Sequence, residues 1–367
     1  MADFIVIGGG IAGTSVAARL SALGTVTLLE RETALGYHAS GRSAALFESH
    51  YGLQSTVALS KASADFHATA HGGFLSPRGL MFVAAPGDKA AFARACDDFH
   101  VTPISMDEAR AKFPILNPDT VGLAAFHEAA YDIDTDRQIQ TFARSVRENG
   151  GTVLTGQDVT AITRTAHGWE VATRDQTHSA PMLVNAAGAW AASIAELAGA
   201  QPLGITPYRR TVAQLRGEVD APDDMPLVLD ISGSFYFKSD NGRIWLSPHD
   251  ETPTTPCDAA PEEIDVALAI DAFENATDWP IAAVERKWAG LRSFAPDRLP
   301  IYGADPELPG FLWFAGQGGF GIQTAPAAAR LMAQMTLGNE RDELTRAIDA
   351  RVYTPLRFYK QKAVSAL

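Results

Sequence analysis

The chain has few cysteines. Only Cys96 and Cys257 occur in its 367 residues, far apart and in no C-x-x-C pattern. This spacing argues against a disulfide framework and against a cysteine-rich zinc site, and it is typical of a reducing compartment.

Long apolar runs are also absent. No segment reaches the roughly 18 consecutive apolar residues of a transmembrane helix. The apolar stretch near the N-terminus has no basic region before it and is already used as the first predicted strand. We therefore expect a protein without a membrane span, located in the cytoplasm.

The chain has fewer basic residues than acidic ones. The chain has 30 Lys and Arg residues against 43 Asp and Glu residues, a net charge of −13. A chain of this charge has no electrostatic footprint for nucleic acid or for an anionic membrane. A small molecule is the partner we expect.

The histidines show no complete set of metal ligands. His67 and His71 stand in one H-x-x-x-H spacing, but the sequence offers no further ligand to complete it, and His50, His100 and His127 show no such spacing. The sequence predicts no metal site.

A complete βαβ unit stands at the beginning of the chain. An apolar strand from Phe4 runs into Gly8-x-Gly10-x-x-Gly13, an Ala-rich helix pattern follows, and a second apolar run ends in Glu30. The glycines permit a tight turn, close approach of the backbone to a pyrophosphate, and close packing of the helix. The acid falls where it would accept hydrogen bonds from a ribose. The unit predicts a dinucleotide site.

Strands of the same nucleotide-binding sheet are scattered along the sequence. Besides the first unit, apolar strands lead into small-residue turns at Leu183–Trp190 and at Phe311–Gly321. Mostly β-structure is predicted between them, from Thr206 to Trp245, and a helix with a capping box is predicted behind Ser105. A second lobe must therefore be inserted between the strands of the sheet.

Eight ordered motifs extend over nearly the whole chain. They are GGGIAG near the start, GYHASGRSAA at 36–45, DIDTD at 132–136, LVNAAGAW at 183–190, PYRR at 207–210, SFYFK at 234–238, WAGLRSF at 288–294 and GQGGFGIQT at 316–324. With them the chain resembles the D-amino acid oxidase (DAO) superfamily of FAD-dependent oxidoreductases, and within it the D-arginine dehydrogenases.

The resemblance implies an α/β (α+β) fold, in which a Rossmann-like FAD-binding domain is interleaved with an antiparallel-sheet substrate domain. We expect the FAD-binding domain at residues 1–78, 142–206 and 294–345. The substrate domain is expected at 79–141 and 207–293, and a C-terminal extension at 346–367.

The resemblance also implies non-covalent FAD, although some related enzymes attach FAD through a histidine in the position of His38. The residues expected to hold FAD are Gly8, Gly10, Ile11, Ala12, Gly13, Glu30, Arg31, Ser40, Gly41, Arg42, Ser43, Ala44, Ala45, Val159, Ala187, Gly188, Trp190, Gly319, Phe320, Gly321, Ile322, Gln323 and Thr324. Arg42, Ser43 and Ala44 are expected closest to the pyrophosphate and flavin.

The substrate residues follow from the same blocks. Arg292 is expected to hold a substrate carboxylate, because a planar guanidinium binds both oxygens and stays charged. Arg210 and Tyr236 assist it, Tyr51 closes the pocket, and Gly319 belongs to the same site. The implied reaction is oxidative deamination of a free-carboxylate amino acid by hydride transfer from Cα to flavin N5.

The chain departs from D-arginine dehydrogenases where the side chain binds. An acid and a histidine of that group correspond to Leu80 and Leu46. The pocket is thus predicted to be apolar, which favours a D-amino acid with an apolar or medium-sized side chain. Glu48, two positions past Leu46, is an alternative partner for a cationic side chain. The remaining lining is expected from Leu227 and Leu229.

The sequence leaves other functions open. They are a secondary-amine oxidase of the sarcosine or proline type, a 2-hydroxy acid dehydrogenase, and one subunit of a larger dehydrogenase. The sequence also leaves the electron acceptor, oxygen or a quinone, open.

Overall fold

The computed structural model describes residues 2–359, within which the chain forms helices and strands in a mixed α/β fold, confirming the predicted class. The helices are α1 (Ile11–Ser21), α2 (Gln54–Thr69), α3 (Lys89–Phe99), α4 (Met106–Lys112), α5 (Thr135–Glu148), α6 (Ala191–Leu197), α7 (Glu263–Ala276) and α8 (Gly321–Leu337). The strands are β1 (Phe4–Ile7), β2 (Val26–Leu29), β3 (Leu46–Phe47), β4 (Leu75–Pro77), β5 (Leu80–Ala84), β6 (Thr102–Ile104), β7 (Leu123–His127), β8 (Tyr131–Ile133), β9 (Thr152–Leu154), β10 (Val159–Thr165), β11 (Gly168–Thr173), β12 (Thr177–Ala180), β13 (Met182–Asn185), β14 (Thr206–Gly217), β15 (Leu227–Asp230), β16 (Tyr236–Asp240), β17 (Arg243–Ser247), β18 (Thr252–Pro253), β19 (Ile281–Phe294), β20 (Ile301–Ala304) and β21 (Phe311–Ala315).

The first sheet collects strands from three distant parts of the chain. Its order is β20-β21-β13-β1-β2-β9, parallel except for the edge strand β20. The strands are almost wholly apolar because helices cover the sheet. Val16 and Leu20 of α1, Val146 of α5 and Leu331 of α8 share one buried core with it.

The second sheet is larger and mostly antiparallel. It runs β18-β14-β17-β16-β15-β5-β7-β6, and β19 pairs with β14. The long pair β14 and β19 sets Tyr208 opposite Arg292 and Arg210 opposite Gly290. Since side chains two residues apart share a face of a strand, Arg210 and Arg292 lie on one face as diagonal neighbours.

Two smaller sheets complete the fold. One is β10-β11-β12, and the other is β3-β8-β4. Helix α4 begins at the predicted capping box: Ser105 Oγ accepts from the Glu108 N–H, and the Glu108 carboxylate accepts from the Ser105 N–H.

The division into domains stays a prediction, and the structure bears on two of its limits. The boundary between residues 141 and 142 falls inside α5, where Phe142 and Val146 are both buried. In the expected C-terminal extension, Ile348 and Tyr353 are buried in the same core as α1 and α8. Residues 360–367 of that extension lie outside the described residues.

Within the described part of the chain, none of the helices combines the length and the apolar character needed to cross a bilayer.

Candidate active site

A first cavity of about 1280 Å³, counting the space open to solvent at its mouth, lies at the carboxyl ends of the parallel strands. Ligands bind at this edge of open α/β sheets, because the loops there carry the helix N-termini. The glycine-rich turn after β1 and the acid after β2 both line it.

Two glycines of the turn are required by sterics. Gly8 has a φ of +113°, and a Cβ atom there would lie 2.4 Å from the carbonyl oxygen of Ala186. A Cβ atom on Gly13 would lie 1.7 Å from the carbonyl oxygen of Gly8. A larger residue at position 13 would push helix α1 away from the turn, and one at position 8 would push the turn away from Ala186.

The N-terminus of α1 is suited to an anion. Gly10 supplies no side chain to cap the helix, and the N–H of Ile11 donates to Ser40 Oγ at 3.0 Å. An α-helix leaves its first N–H groups without partners inside the helix, and its dipole is positive at this end. These are the features that hold a pyrophosphate.

Glu30 is fixed by two backbone donors. One carboxylate oxygen accepts from the Gly9 N–H and the other from the Glu32 N–H at 2.8 Å. Each oxygen keeps a further lone pair, so the carboxylate can still accept from ribose hydroxyls.

The expected FAD residues fall into three groups: those that line the first cavity, those that line a second cavity, and those that line neither. The first cavity is lined by Gly8, Gly10, Ile11, Ala12, Glu30, Arg31, Ser40, Val159, Ala187, Gly188, Trp190 and Gly321. A second cavity is lined by Ser43, Ala44, Ala45, Gly319, Ile322 and Gln323. Neither cavity is lined by Gly13, Gly41, Arg42, Phe320 or Thr324.

Arg42 turns away from both cavities. Its guanidinium pairs with Asp258 at 2.5 Å and donates to the carbonyl oxygens of Ala289 and Ala259. It thus ties its segment to the second sheet, and the expected place of Arg42 nearest the pyrophosphate and flavin stays a prediction.

His38 lines the first cavity beside the expected FAD residues. Its Nε2 lies 2.9 Å from a carboxylate oxygen of Glu32, and its ring packs against Trp190 with centroids 4.6 Å apart. The hydrogen bond with His38, together with that from Arg31, lowers the pKa of Glu32.

The second cavity measures about 720 Å³ and adjoins the first. Leu291 lines the first cavity, whereas the next residue, Arg292, lines the second. Because successive side chains of a strand point to opposite faces, β19 separates the two spaces. Gly319 makes room for the arginine, since a Cβ atom there would lie 3.1 Å from its Nη1.

Arg210 and Arg292 bring two positive charges to the second cavity. Arg210 is 7% exposed; its Nε donates to the Asp250 carbonyl oxygen at 2.6 Å, whereas its buried Nη1 has no hydrogen-bond partner. Burial and the neighbouring Arg292 lower the pKa of Arg210. None of the ion pairs among residues 2–359 involves either arginine. Two guanidinium groups without an ion-pair partner can bind an anion.

His249 was not foreseen from the sequence. It lines the second cavity and meets the ring of Tyr236 edge-on, with centroids 5.6 Å apart. Burial and the charges of Arg210 and Arg292 lower the pKa of His249 to about 4, so its imidazole is neutral at neutral pH. It lies in an irregular loop after β17, with no motif that would have revealed it.

The expected substrate residues converge on this cavity. Tyr51 lies between the rings of Phe99 and Phe320, 5.9 and 5.3 Å away. The other lining residues named from the sequence are Leu46, Glu48, Leu80, Leu227, Leu229 and Tyr236. The remaining wall is apolar; the polar lining residues are the two arginines, His249, Tyr236, Tyr51, Glu48, Ser43 and Gln323.

Lys238 supports the cavity from behind. Its buried ammonium donates to the Ala44 carbonyl oxygen and to Asp132, each at 2.9 Å, and Asp132 also pairs with Arg78. This network fixes Ala44, which lines the cavity. In the sequence, Lys238 stands out only as the last residue of the SFYFK motif.

Comparisons with known proteins agree with this geometry. Residues 3–335 match the family model described as DAO, FAD dependent oxidoreductase. Hydrogen cyanide synthase subunit HcnC of Pseudomonas aeruginosa is 26% identical over 270 residues, which are 72% of this chain and 61% of that protein.

Two solved structures share the fold. L-proline dehydrogenase from P. horikoshii superposes with a TM-score of 0.83 at 22% identity, covering 97% of each chain. Glycine oxidase from Geobacillus kaustophilus superposes with a TM-score of 0.81 at 20% identity, covering 97% of this chain and 98% of that one. The narrower likeness to D-arginine dehydrogenases stays a prediction.

Proposed function

The chain belongs to the DAO family of FAD dependent oxidoreductases, with FAD as its cofactor, and on that premise we propose that it oxidises an amino acid with a free carboxylate. The observation that carries the proposal is the paired guanidinium groups of Arg210 and Arg292, which line one cavity and form no ion pair with an acidic residue among residues 2–359. Glu48 lines the same cavity but contacts His50 and His127 instead. A substrate carboxylate supplies the missing negative charge.

The residues of the first cavity fit FAD. The sterically required glycines and the open N-terminus of α1 match a pyrophosphate, and Glu30 matches a ribose. When bound, FAD supplies the chemistry of accepting a hydride from the substrate.

The protein contributes position and a dry environment. Arg292 and Arg210 hold the carboxylate, and Tyr236 limits how the bound carboxylate can turn. The leucines exclude water from the side-chain end, which strengthens the charge interaction at the other end. Fixing the substrate in this way supplies much of the rate, because the Cα–H begins near its attack position.

The apolar wall directs the choice of substrate. Leu46, Leu80, Leu227 and Leu229 offer no partner to a charged group. Two substrate classes fit this wall equally: a D-amino acid with an apolar or medium-sized side chain, and a secondary amine of the proline or sarcosine type. The fold that the chain shares with an L-proline dehydrogenase supports the second class.

Anaerobic titration tests the proposal directly. FAD-loaded protein is mixed with D- and L-enantiomers of Met, Leu, Phe and Arg, with proline and sarcosine, and with 2-hydroxy acids, while the visible flavin band is recorded. The expected result is bleaching by an amino acid with an apolar side chain or by a secondary amino acid.

Two compounds that differ only in the carboxylate test the role of the arginines. Phenylethylamine is phenylalanine without the carboxylate, so it should bleach the flavin far more slowly. Equal rates for the two would reject the role of the arginines, and preferential bleaching by 2-hydroxy acids would reject an amino acid substrate. Admitting air afterwards separates an oxidase from a dehydrogenase.

A partner subunit belongs to the same proposal. HcnC is named as a subunit of a synthase, and the chain spans 61% of its length. Light scattering on native protein purified without overproduction would reveal a complex by its mass.

A further inference from the structure

Three potential metal ligands meet beside the second cavity, and one of them, Glu48, lines it. Glu48 and His50 follow the short strand β3, and His127 ends β7. β3 pairs with β8, setting Leu46 opposite Asp132, and β8 begins only four residues after His127. Strand pairing therefore brings together residues that are distant in sequence, which is why histidine spacing did not reveal them.

Two separations of the ligand atoms are close to those around a tetrahedral ion. His50 Nδ1 lies 3.1 Å from Oε1 of Glu48, and His127 Nε2 lies 3.6 Å from the same oxygen. One ligand atom from each residue falls within 4.8 Å of the other two. Zinc bonds of 2.0–2.2 Å to nitrogen and oxygen set neighbouring ligand atoms about 3.4 Å apart.

The buried negative charge of Glu48 also favours a bound cation. Its side chain is only 2% exposed, and among residues 2–359 its ion-pair partners are the two histidines, which are charged only if protonated. A buried carboxylate without a compensating charge is costly. A divalent ion would compensate it while the imidazoles stay neutral.

The surroundings would orient the ligands and admit an ion. The His50 N–H donates to both Glu48 oxygens, at 3.0 and 2.9 Å, and the Glu48 N–H donates to Gln323. Such contacts hold a metal-binding carboxylate in place. The side chains of His50 and His127 are 28% and 19% exposed, which leaves a path for the ion and for a water ligand.

We infer that Glu48, His50 and His127 form a binding site for a divalent transition-metal ion, with zinc as the probe. Two imidazoles, one carboxylate and an open position for water suit this ion. The site borders the substrate cavity through Glu48. It is independent of the proposed function, since FAD binding and the arginine pair do not require it.

The test is zinc binding to FAD-loaded protein by calorimetry after removal of metals with a chelator. We expect one equivalent to bind in the parent protein. Glu48→Gln and His127→Gln should each weaken binding by on the order of 100-fold or more, since losing even an outer-shell contact costs 10–100-fold. His100→Asn is the matched control, because His100 is exposed, its ring lies 5.3 Å from that of His50, and asparagine tolerates its φ of +53°.

X-ray absorption at the zinc edge gives the second readout. We expect nitrogen and oxygen neighbours at about 2.0–2.1 Å with imidazole scattering. Retained FAD absorbance in each variant shows that it has folded. The inference is overturned if the parent protein binds no stoichiometric zinc, if Glu48→Gln and His127→Gln bind it as the parent does, or if the spectrum shows sulfur from Cys96 or Cys257.

Discussion

At the scale of single residues, the arginine pair is the decisive feature. Like charges on neighbouring positions of a sheet destabilise it, and Arg210 is buried as well. The Asp250 carbonyl oxygen takes up only one of its donors, and Nη1 has no partner. An arrangement that costs stability in the free protein is consistent with a site completed by an anionic ligand.

Replacing Arg292 tests this role. Arg292→Ala should raise KM for the amino acid by a factor of roughly 10²–10³, because a buried charge pair with the carboxylate is lost. Steady-state kinetics measure the change, and the visible spectrum checks that FAD remains bound. Arg286→Ala is the control, since Arg286 is exposed on the same strand. Near-normal kinetics in the Arg292 variant would remove Arg292 from the site.

His38 carries a prediction about the cofactor linkage. Its ring is held between Glu32 and Trp190, and we expect FAD to be bound without a covalent bond. Acid precipitation should then leave the yellow colour in the supernatant, and His38→Ala should still retain FAD. Colour that stays with the precipitate, and is lost in the variant, would establish a covalent link.

At the scale of elements, close packing of α1 on the sheet shapes the nucleotide site. The helix can approach only because Gly13 has no side chain to meet the Gly8 carbonyl oxygen. The turn and the N-terminus of α1 are thereby placed at the same cavity as Glu30.

Gly13→Ala should therefore disturb both folding and FAD binding. Overpacking of this kind costs about 1–3 kcal/mol, equivalent to about 1–4 °C in Tm for a chain of this size. Thermal unfolding and FAD titration measure the two effects. Gly87→Ala is the matched control, since a Cβ atom there meets nothing within 4 Å. Equal Tm and equal FAD affinity in the two variants would contradict the steric argument.

Sequence patterns predict where a helix or strand begins better than they predict which other element it packs against. The capping box expected behind Ser105 is present at α4. The boundary drawn at residue 142 nevertheless divides α5. An amphipathic pattern shows which face of a helix is buried, but it does not show against which sheet that face packs.

At the scale of the whole molecule, one buried histidine joins three helices. His67 of α2 donates from Nε2 to the Gln323 carbonyl oxygen of α8 at 2.9 Å, and its Nδ1 lies 3.4 Å from Nε2 of Gln138 in α5. Burial lowers the pKa of His67 to about 4. The neutral ring satisfies both contacts, whereas a protonated ring would not.

Stability should therefore fall on acidification. Unfolded histidine has a pKa near 6.5, so between pH 6.5 and 4 the unfolded chain binds a proton that the folded chain does not. The free energy of unfolding should decrease across this window by up to about 3 kcal/mol from His67, and His249, whose pKa is also about 4, acts in the same direction.

Urea unfolding at pH 7.5, 6.5 and 5 measures this effect. His67→Gln should lose less stability between pH 6.5 and 5 than the parent protein does, with part of the slope kept by His249. His167→Gln, at an exposed position, is the control. A His67 variant with the full loss on acidification would show that the ring titrates normally.

The sequence alone determined the glycine-rich βαβ unit, the interleaved α/β fold and the block containing Arg292, because these depend on local chain geometry and on ordered motifs. Only the tertiary structure decided which side chains share a cavity. Strand pairing placed Arg210 beside Arg292, brought His249 to the same wall and joined Glu48, His50 and His127, whereas Arg42 pairs with Asp258. Which side chains come together depends on strand register and on competition between partners. Neither can be predicted from the spacing of residues along a single chain.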